Sequence, residues 1–191
     1  MENQELYDKY LHTRHWDSRP AVTASVFAIF LLQHKFNEMV VDLGCGSGRD
    51  VEKMASFGLN VLGVDKCEQE VRAASLRYPN LHFLAYNIED RLFAANSVGA
   101  FHAVNVFHYV NQPRAIAEIR RTLRPGGWLF IHFNLVITDL EQDHVDYQQS
   151  EEEILALVQG FQVEQQVTFT REDQQPFLHR HSILQLILRK K

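Results

Sequence analysis

From residue 39 to about residue 161 the sequence alternates between short apolar runs and stretches with helical spacing, a pattern that few chain folds accept. The runs at 39–43, 60–64, 81–86, 100–107 and 128–136 read as buried strands. Between and after them, 49–57, 68–77, 113–123 and 151–158 read as helices. The first stops at Gly58 and the second before Pro79. The third carries Ile116, Ile119 and Leu123 on one face, and the fourth has Ser150 three places before Glu153, a capping box. Alternation of this kind predicts a doubly wound α/β fold: a mostly parallel sheet between two helical layers. The tail departs from it. Residues 161–170 and 182–189 are both strand-like with only a polar turn between them, which predicts an antiparallel hairpin at the sheet edge. Ahead of residue 39, an apolar helix over 20–36 is expected to pack on the sheet, preceded by a polar, aromatic segment at 5–15. No linker separates these parts, so 1–36 reads as a helical cap of the same domain as 37–191.

Composition narrows the function. With 191 residues, 46% of them hydrophobic, the chain can bury a sizeable core. A formal charge of −5 offers no footprint for a polyanion, so a nucleic-acid partner is not expected. Two cysteines, Cys45 and Cys67, make no disulfide framework and fit a reducing, cytoplasmic setting. The first residues carry no basic and apolar leader pattern. The apolar stretches fall short of the ~20 residues a membrane-spanning helix requires, so no membrane role is expected.

The stretch "VVDLGCGSGRD" at 40–50 places a glycine-rich turn between a strand and a helix, where a doubly wound sheet binds nucleotides. Gly44, Gly46 and Gly48 are spaced G-x-G-x-G. A dinucleotide site has its third glycine where Arg49 stands, which disfavours an oxidoreductase, and no lysine completes a P-loop. Asp42, just before the turn, would repel a pyrophosphate and suit an ammonium. Asp65, at the end of "NVLGVD", can accept both hydroxyls of a ribose. Asn87 and the backbone of Ile88, in "YNIED", can read an adenine edge. Ammonium, ribose and adenine together describe S-adenosylmethionine.

The sequence resembles the class I S-adenosylmethionine-dependent methyltransferases from about residue 37 onward. The carrying residues are "VVDLGCGSGRD", "GVD" at 63–65, "NIEDRLF" at 87–93, "NVFHYV" at 105–110 and "RRTLRPGGWLFI" at 120–131. The resemblance implies a Rossmann-like, three-layer α/β/α fold whose seven-stranded sheet ends in an antiparallel strand. It implies a site for S-adenosyl-L-methionine, with S-adenosyl-L-homocysteine as product. Asp42, Leu43, Gly44, Cys45, Gly46 and Gly48 would face the methionine moiety, Asp65 and Lys66 the ribose. Asn87 and Ile88 would lie near the adenine, and Asn105 and Val106 under the methionine part. Two positions depart from the family pattern: Asn87 stands where many relatives have aspartate, and Val98-Gly99 where they often show Phe-Asp.

The stretch 105–108, "NVFH", lacks the prolines and stacking aromatic that base-methylating relatives carry, so a small-molecule acceptor is expected. "YDKYLHTRHWD" at 7–17 is similar to the start of the tellurite-resistance (TehB-like) branch, which implies a chalcogen oxyanion or thiol as acceptor. In that branch the segment folds over the cofactor, so Tyr10, Arg14 and Arg19 are expected at the site. His179 and Arg180 match a His-Arg pair of the same branch. A thiolate or chalcogen anion needs no base; a hydroxyl does, and His108 is then the first candidate. His132 and Asn134 are expected to line the acceptor pocket. The pairs His12/His15 and His179/His181 have ligand-like spacing, but no cysteine or acid converges on them in sequence, so no metal is expected. The acidic stretch 139–149 reads as a solvated loop. A monomer or homodimer fits the composition, and the alternative to an enzyme is a catalytically silent cofactor-binding protein of the same fold.

Overall fold

The computed structural model describes residues 5, 6, 9, 22–91, 93–174 and 176–191. Strands β1 (Met39–Leu43), β2 (Asn60–Asp65), β3 (His82–Ala85), β4 (Val98–Ala103) and β5 (Leu123–Asp139) are joined by helices α2 (Arg49–Ser56), α3 (Glu68–Arg77) and α4 (Gln112–Thr122). Helix α1 (Val22–Gln33) precedes them. Strand β6 (His144–Gln148), helix α5 (Glu151–Leu157) and strands β7 (Phe161–Asp173) and β8 (His179–Lys190) follow.

The sheet runs β3-β2-β1-β4-β5-β8-β7, with neighbours parallel from β3 to β5. β8 is antiparallel to both β5 and β7. This is the expected three-layer architecture with a reversed last strand. Its physical basis is the tight β7–β8 hairpin, which leaves no room for a crossover helix. On one face α1 and α2 cover β-strand residues such as Val40, Ala100, Phe130 and Ile187. Helix α1 buries Ala24, Phe27, Ala28 and Leu31, the i, i+3, i+4, i+7 stripe of a core-facing helix. On the other face α4 and α5 bring Ile116, Ile119 and Ile154 against Phe101, Leu129, Ile131 and Leu186. The capping box of α5 forms as its spacing predicts: Glu153 N donates to Ser150 Oγ at 3.2 Å, and Ser150 N to Glu153 Oε2 at 2.9 Å.

Three expectations change. The fourth strand stops at Ala103 rather than at 107, because Asn105 takes φ 59° and a 3-10 turn over Phe107–Tyr109 follows. Strand β5 is 17 residues long and extends past its expected end at 136. The acidic stretch 139–149 is not simply a solvated loop. Residues 144–148 pair antiparallel with the outer end of β5, adding an eighth strand off the main path, and Asp139 and Asp146 are buried. Lys9 bridges those two carboxylates, at 3.0 and 2.7 Å, and Leu6 is wholly buried beside Ile137. Leu6 and Lys9 are therefore anchored to the β5–β6 extension.

Candidate functional site

Where β1 ends, the chain crosses toward the end of β2. Gly44 N and Cys45 N both donate to Val64 O, at 2.7 and 3.0 Å. Gly46 N donates to Asp65 Oδ2 and Cys67 N to Asp65 Oδ1, each at 2.9 Å. Asp65 thus braces the glycine turn while each oxygen keeps a further lone pair for a ligand hydroxyl. Gly44 has φ 68°, and a Cβ there would lie 2.4 Å from Val106 Cγ2. Gly48 has φ 85°, and a Cβ there would lie 2.7 Å from the Phe83 ring. Gly48 therefore serves close packing of the α2 start and does not line the cavity; this is the task a third dinucleotide glycine performs one position later.

The turn opens onto a cavity of about 520 Å³. That volume lies within the ~300–1,000 Å³ usual for small-molecule sites. Of the residues singled out in the sequence, Gly44, Cys45, Gly46, Asp65, Lys66, Ile88, Asn105, Val106, His108, His132 and His179 line it. Asp42, Leu43, Gly48, Asn87, Asn134 and Arg180 do not. Tyr10, Arg14 and Arg19 lie outside the described residues. The Asn87 Oδ1 accepts from Glu89 N at 3.0 Å, closing a local turn. Arg180 pairs with Glu172 at the hairpin surface.

Asp42 sits beneath the turn, where its Oδ1 lies 2.6 Å from His102 Nδ1. Both groups are buried, and neither Asp42 Oδ2 nor His102 Nε2 has a hydrogen-bond partner among the described residues. Burial pushes the Asp42 carboxyl up. Burial opposes charging His102, but the adjacent carboxylate outweighs it and raises that pKa too. Cys45 is no nucleophile: burial, with Asp42 and Asp65 nearby, pushes its thiol far up.

The far wall of the cavity is one face of the β5–β8–β7 sheet. His132 Nε2 donates to Gln185 Oε1 at 2.9 Å, which leaves the buried Nδ1 lone pair with no hydrogen-bond partner among the described residues. Asn134, just outside the lining, bridges two histidines. Its Oδ1 accepts from His181 Nδ1 at 2.9 Å, so its Nδ2 donates to His108 Nδ1 at 3.0 Å. The amide thereby sets both tautomers. Phe169, Arg171, Asp173, His181 and Gln185 complete this wall, and none was identified as a lining residue in the sequence. The signal was present as alternation in β7 and β8, but it becomes readable only once their register, Arg171 opposite His181 and Asp173 opposite His179, is known.

Burial, with some help from the Arg171 charge, pushes His108 down to about 3. Burial likewise pushes His132 down to about 4, despite its bond to Gln185. Both imidazoles are neutral in the folded chain, whereas the unfolded chain protonates them below about 6.5. Folding stability therefore falls as pH drops from about 6.5, and each contribution stops changing only below the folded-state pKa. Replacing His132 with Gln should flatten the dependence of the unfolding free energy, read from urea titrations, on pH between about 6.5 and 4, by up to roughly 1.4 kcal/mol per pH unit. An unchanged slope would show that His132 is not held neutral.

Residues 41–131 match the family model described as "Methyltransferase domain". A ubiquinone biosynthesis O-methyltransferase of Paraburkholderia xenovorans is 36% identical over 108 residues, covering 51% of this chain and 44% of that protein. The chain spans less than half the length of such curated relatives. TehB of Haemophilus influenzae superposes with a TM-score of 0.70 at 18% identity, over 86% of this chain and 61% of that one. A magnesium protoporphyrin IX methyltransferase of Synechocystis with bound S-adenosylmethionine gives 0.63 at 17% identity, over 90% and 79%. At these identities the two structures establish the shared fold.

Proposed function

We propose that this chain is an S-adenosylmethionine-dependent methyltransferase, and that it transfers the sulfonium methyl group of that cofactor to a small-molecule acceptor. One observation carries this reading. A single cavity joins the braced glycine turn, Asp65, Ile88, Asn105 and Val106 to a separate polar wall on β5, β7 and β8. The residues present fit the cofactor: Asp65 has lone pairs to spare for a ribose, Tyr86 and Ile88 offer an apolar surface for a base, and Gly44 and Gly46 let a ligand approach the backbone. When bound, the cofactor supplies an electrophilic methyl group that a nucleophile takes in line, leaving S-adenosylhomocysteine. The chain's own contribution is to align the two partners and keep water out.

The acceptor we propose is a nucleophile that is already an anion or soft, of the thiolate or chalcogen-oxyanion class associated with tellurite resistance. His108 supports this reading. Its Nδ1 is engaged by Asn134 and its pKa lies near 3, so it is a poor general base at neutral pH. It is suited instead to donate a hydrogen bond from Nε2. His132, with its open Nδ1, has the better geometry for accepting a proton, but at about 4 it too is a weak base. Arg171 on the same wall suits an anion.

Calorimetry with S-adenosylhomocysteine tests the cofactor half. A screen of thiols, selenite, tellurite and small hydroxylated compounds for S-adenosylhomocysteine release tests the acceptor half. Binding without turnover of any acceptor would favour the silent binding protein. Turnover of hydroxyl compounds alone would overturn the anionic-acceptor reading.

A further inference from the structure

The β7–β8 hairpin brings together three side chains that the reaction described above does not use. Asp173, His179 and His181 are all buried, and one ligand atom from each lies within 4.8 Å of the others. Asp173 Oδ2 is 3.9 Å from His179 Nε2 and 3.7 Å from His181 Nε2. All three line the cavity.

The two imidazoles are oriented from behind in the same way. His179 Nδ1 donates to the Phe177 carbonyl at 2.7 Å, and His181 Nδ1 donates to Asn134 Oδ1 at 2.9 Å. With Nδ1 donating to an oxygen behind it, each ring turns its Nε2 toward Asp173 Oδ2. An oxygen acceptor on the rear nitrogen is the outer-shell arrangement that fixes tautomer and ring direction in metal-binding histidines. Two imidazole nitrogens and a carboxylate oxygen this close together can share one cation.

We propose that Asp173, His179 and His181 form a binding site for a divalent first-row transition metal of the zinc or cobalt class. Ligand bonds of ~2.0–2.2 Å in a tetrahedral arrangement require donor atoms roughly 3.3–3.5 Å apart. The 3.7 and 3.9 Å separations from Asp173 need to close by only a few tenths of an ångström, and the two imidazole ligand atoms, within 4.8 Å of each other, draw together around the ion. Two imidazoles and one carboxylate suit this metal class, and three protein ligands leave positions open. Arg171 Nη2, at 3.0 Å from Asp173 Oδ2, is the competing cation and would yield that oxygen to the metal. On the methyl-transfer reading, which this further step rests on, the open position takes the acceptor's oxyanion or thiolate and holds it in the cavity.

The test uses tag-free protein stripped with chelator and titrated with cobalt(II) alone, followed by calorimetry and visible absorption. One saturable equivalent with ligand-field bands is expected, displaced by zinc. Asp173→Asn and His181→Ala should each weaken cobalt binding by tenfold or more, and Asn134→Leu should weaken it by roughly tenfold through loss of orientation. Thermal unfolding and S-adenosylhomocysteine calorimetry on the same samples keep the readings separate. Cofactor binding that persists when cobalt binding is lost supports a distinct metal site. No saturable cobalt binding, or binding unaltered in Asp173→Asn and His181→Ala, overturns the proposal and leaves Asp173 as the ion-pair partner of Arg171.

Discussion

Gly44→Ala is expected to weaken S-adenosylhomocysteine binding by about 100-fold while the chain still folds. The residue stands at φ 68°, where a side chain costs ~1–2 kcal/mol. Its Cβ would also approach to 2.4 Å of Val106 Cγ2, a distance that real contacts do not show. Val106 has little freedom to retreat: it is buried and follows Asn105, which is itself in the left-handed region. The turn must therefore shift, and with it the bonds from Gly44 N and Cys45 N to Val64 O and from Gly46 N to Asp65. A cost of roughly 2–3 kcal/mol on the bound geometry corresponds to about 100-fold in affinity. Adding Val106→Ala removes the steric contact but not the backbone strain, so part of the affinity should return. Calorimetry on both variants reads this directly, and wild-type affinity in Gly44→Ala would refute the role given to the turn.

Lys9→Met should have the largest effect on stability. The Lys9 ammonium reaches Asp146 at 2.7 Å and Asp139 at 3.0 Å, and both carboxylates are almost wholly excluded from solvent. Breaking a fully buried pair costs ~3–5 kcal/mol; the partly exposed ammonium reduces this to roughly 2–3 kcal/mol. Converting both acids to Asn in the Lys9→Met chain removes the stranded charges and should recover much of the loss. Urea unfolding of the three proteins tests this, and an unchanged midpoint in Lys9→Met would show that the anchor contributes nothing.

The pH window of the anchor follows from its groups. Burial opposes the ionised Asp139, but bonds from Gln142 and Glu141 N–H and from Lys9 outweigh it and hold the carboxyl below its ordinary 3.8. That contribution is full above 3.8 and is lost as pH falls through the depressed value. Burial also opposes the charged Lys9, and the two acids outweigh it, raising it above 10.5. Its contribution is full below 10.5 and is lost as pH rises through the raised value.

Much of the fold was legible because it rests on local patterns. The strand–turn–helix at 39–56, the Ser150–Glu153 box and the β7–β8 hairpin each follow from residues close in sequence. What misled the reading was equally physical. Residues 100–107 look like one apolar strand, yet Asn105 turns left-handed and re-aims Val106 and His108 toward the cavity. Residues 139–149 look solvated by composition, but two of their acids, Asp139 and Asp146, are buried against a lysine 130 and 137 positions away. Asp42 suited a ligand's ammonium on charge alone, whereas His102, sixty positions on, takes one of its oxygens.

By itself the sequence determined the layered α/β class, the glycine turn and the position of Asp65. These depend on periodicity and on backbone freedom within a few residues. Only the tertiary structure decided which polar groups share the cavity wall. His132, His181 and Asp173 come from three strands, and the meeting of their side chains depends on register, which a shift of one residue would reverse.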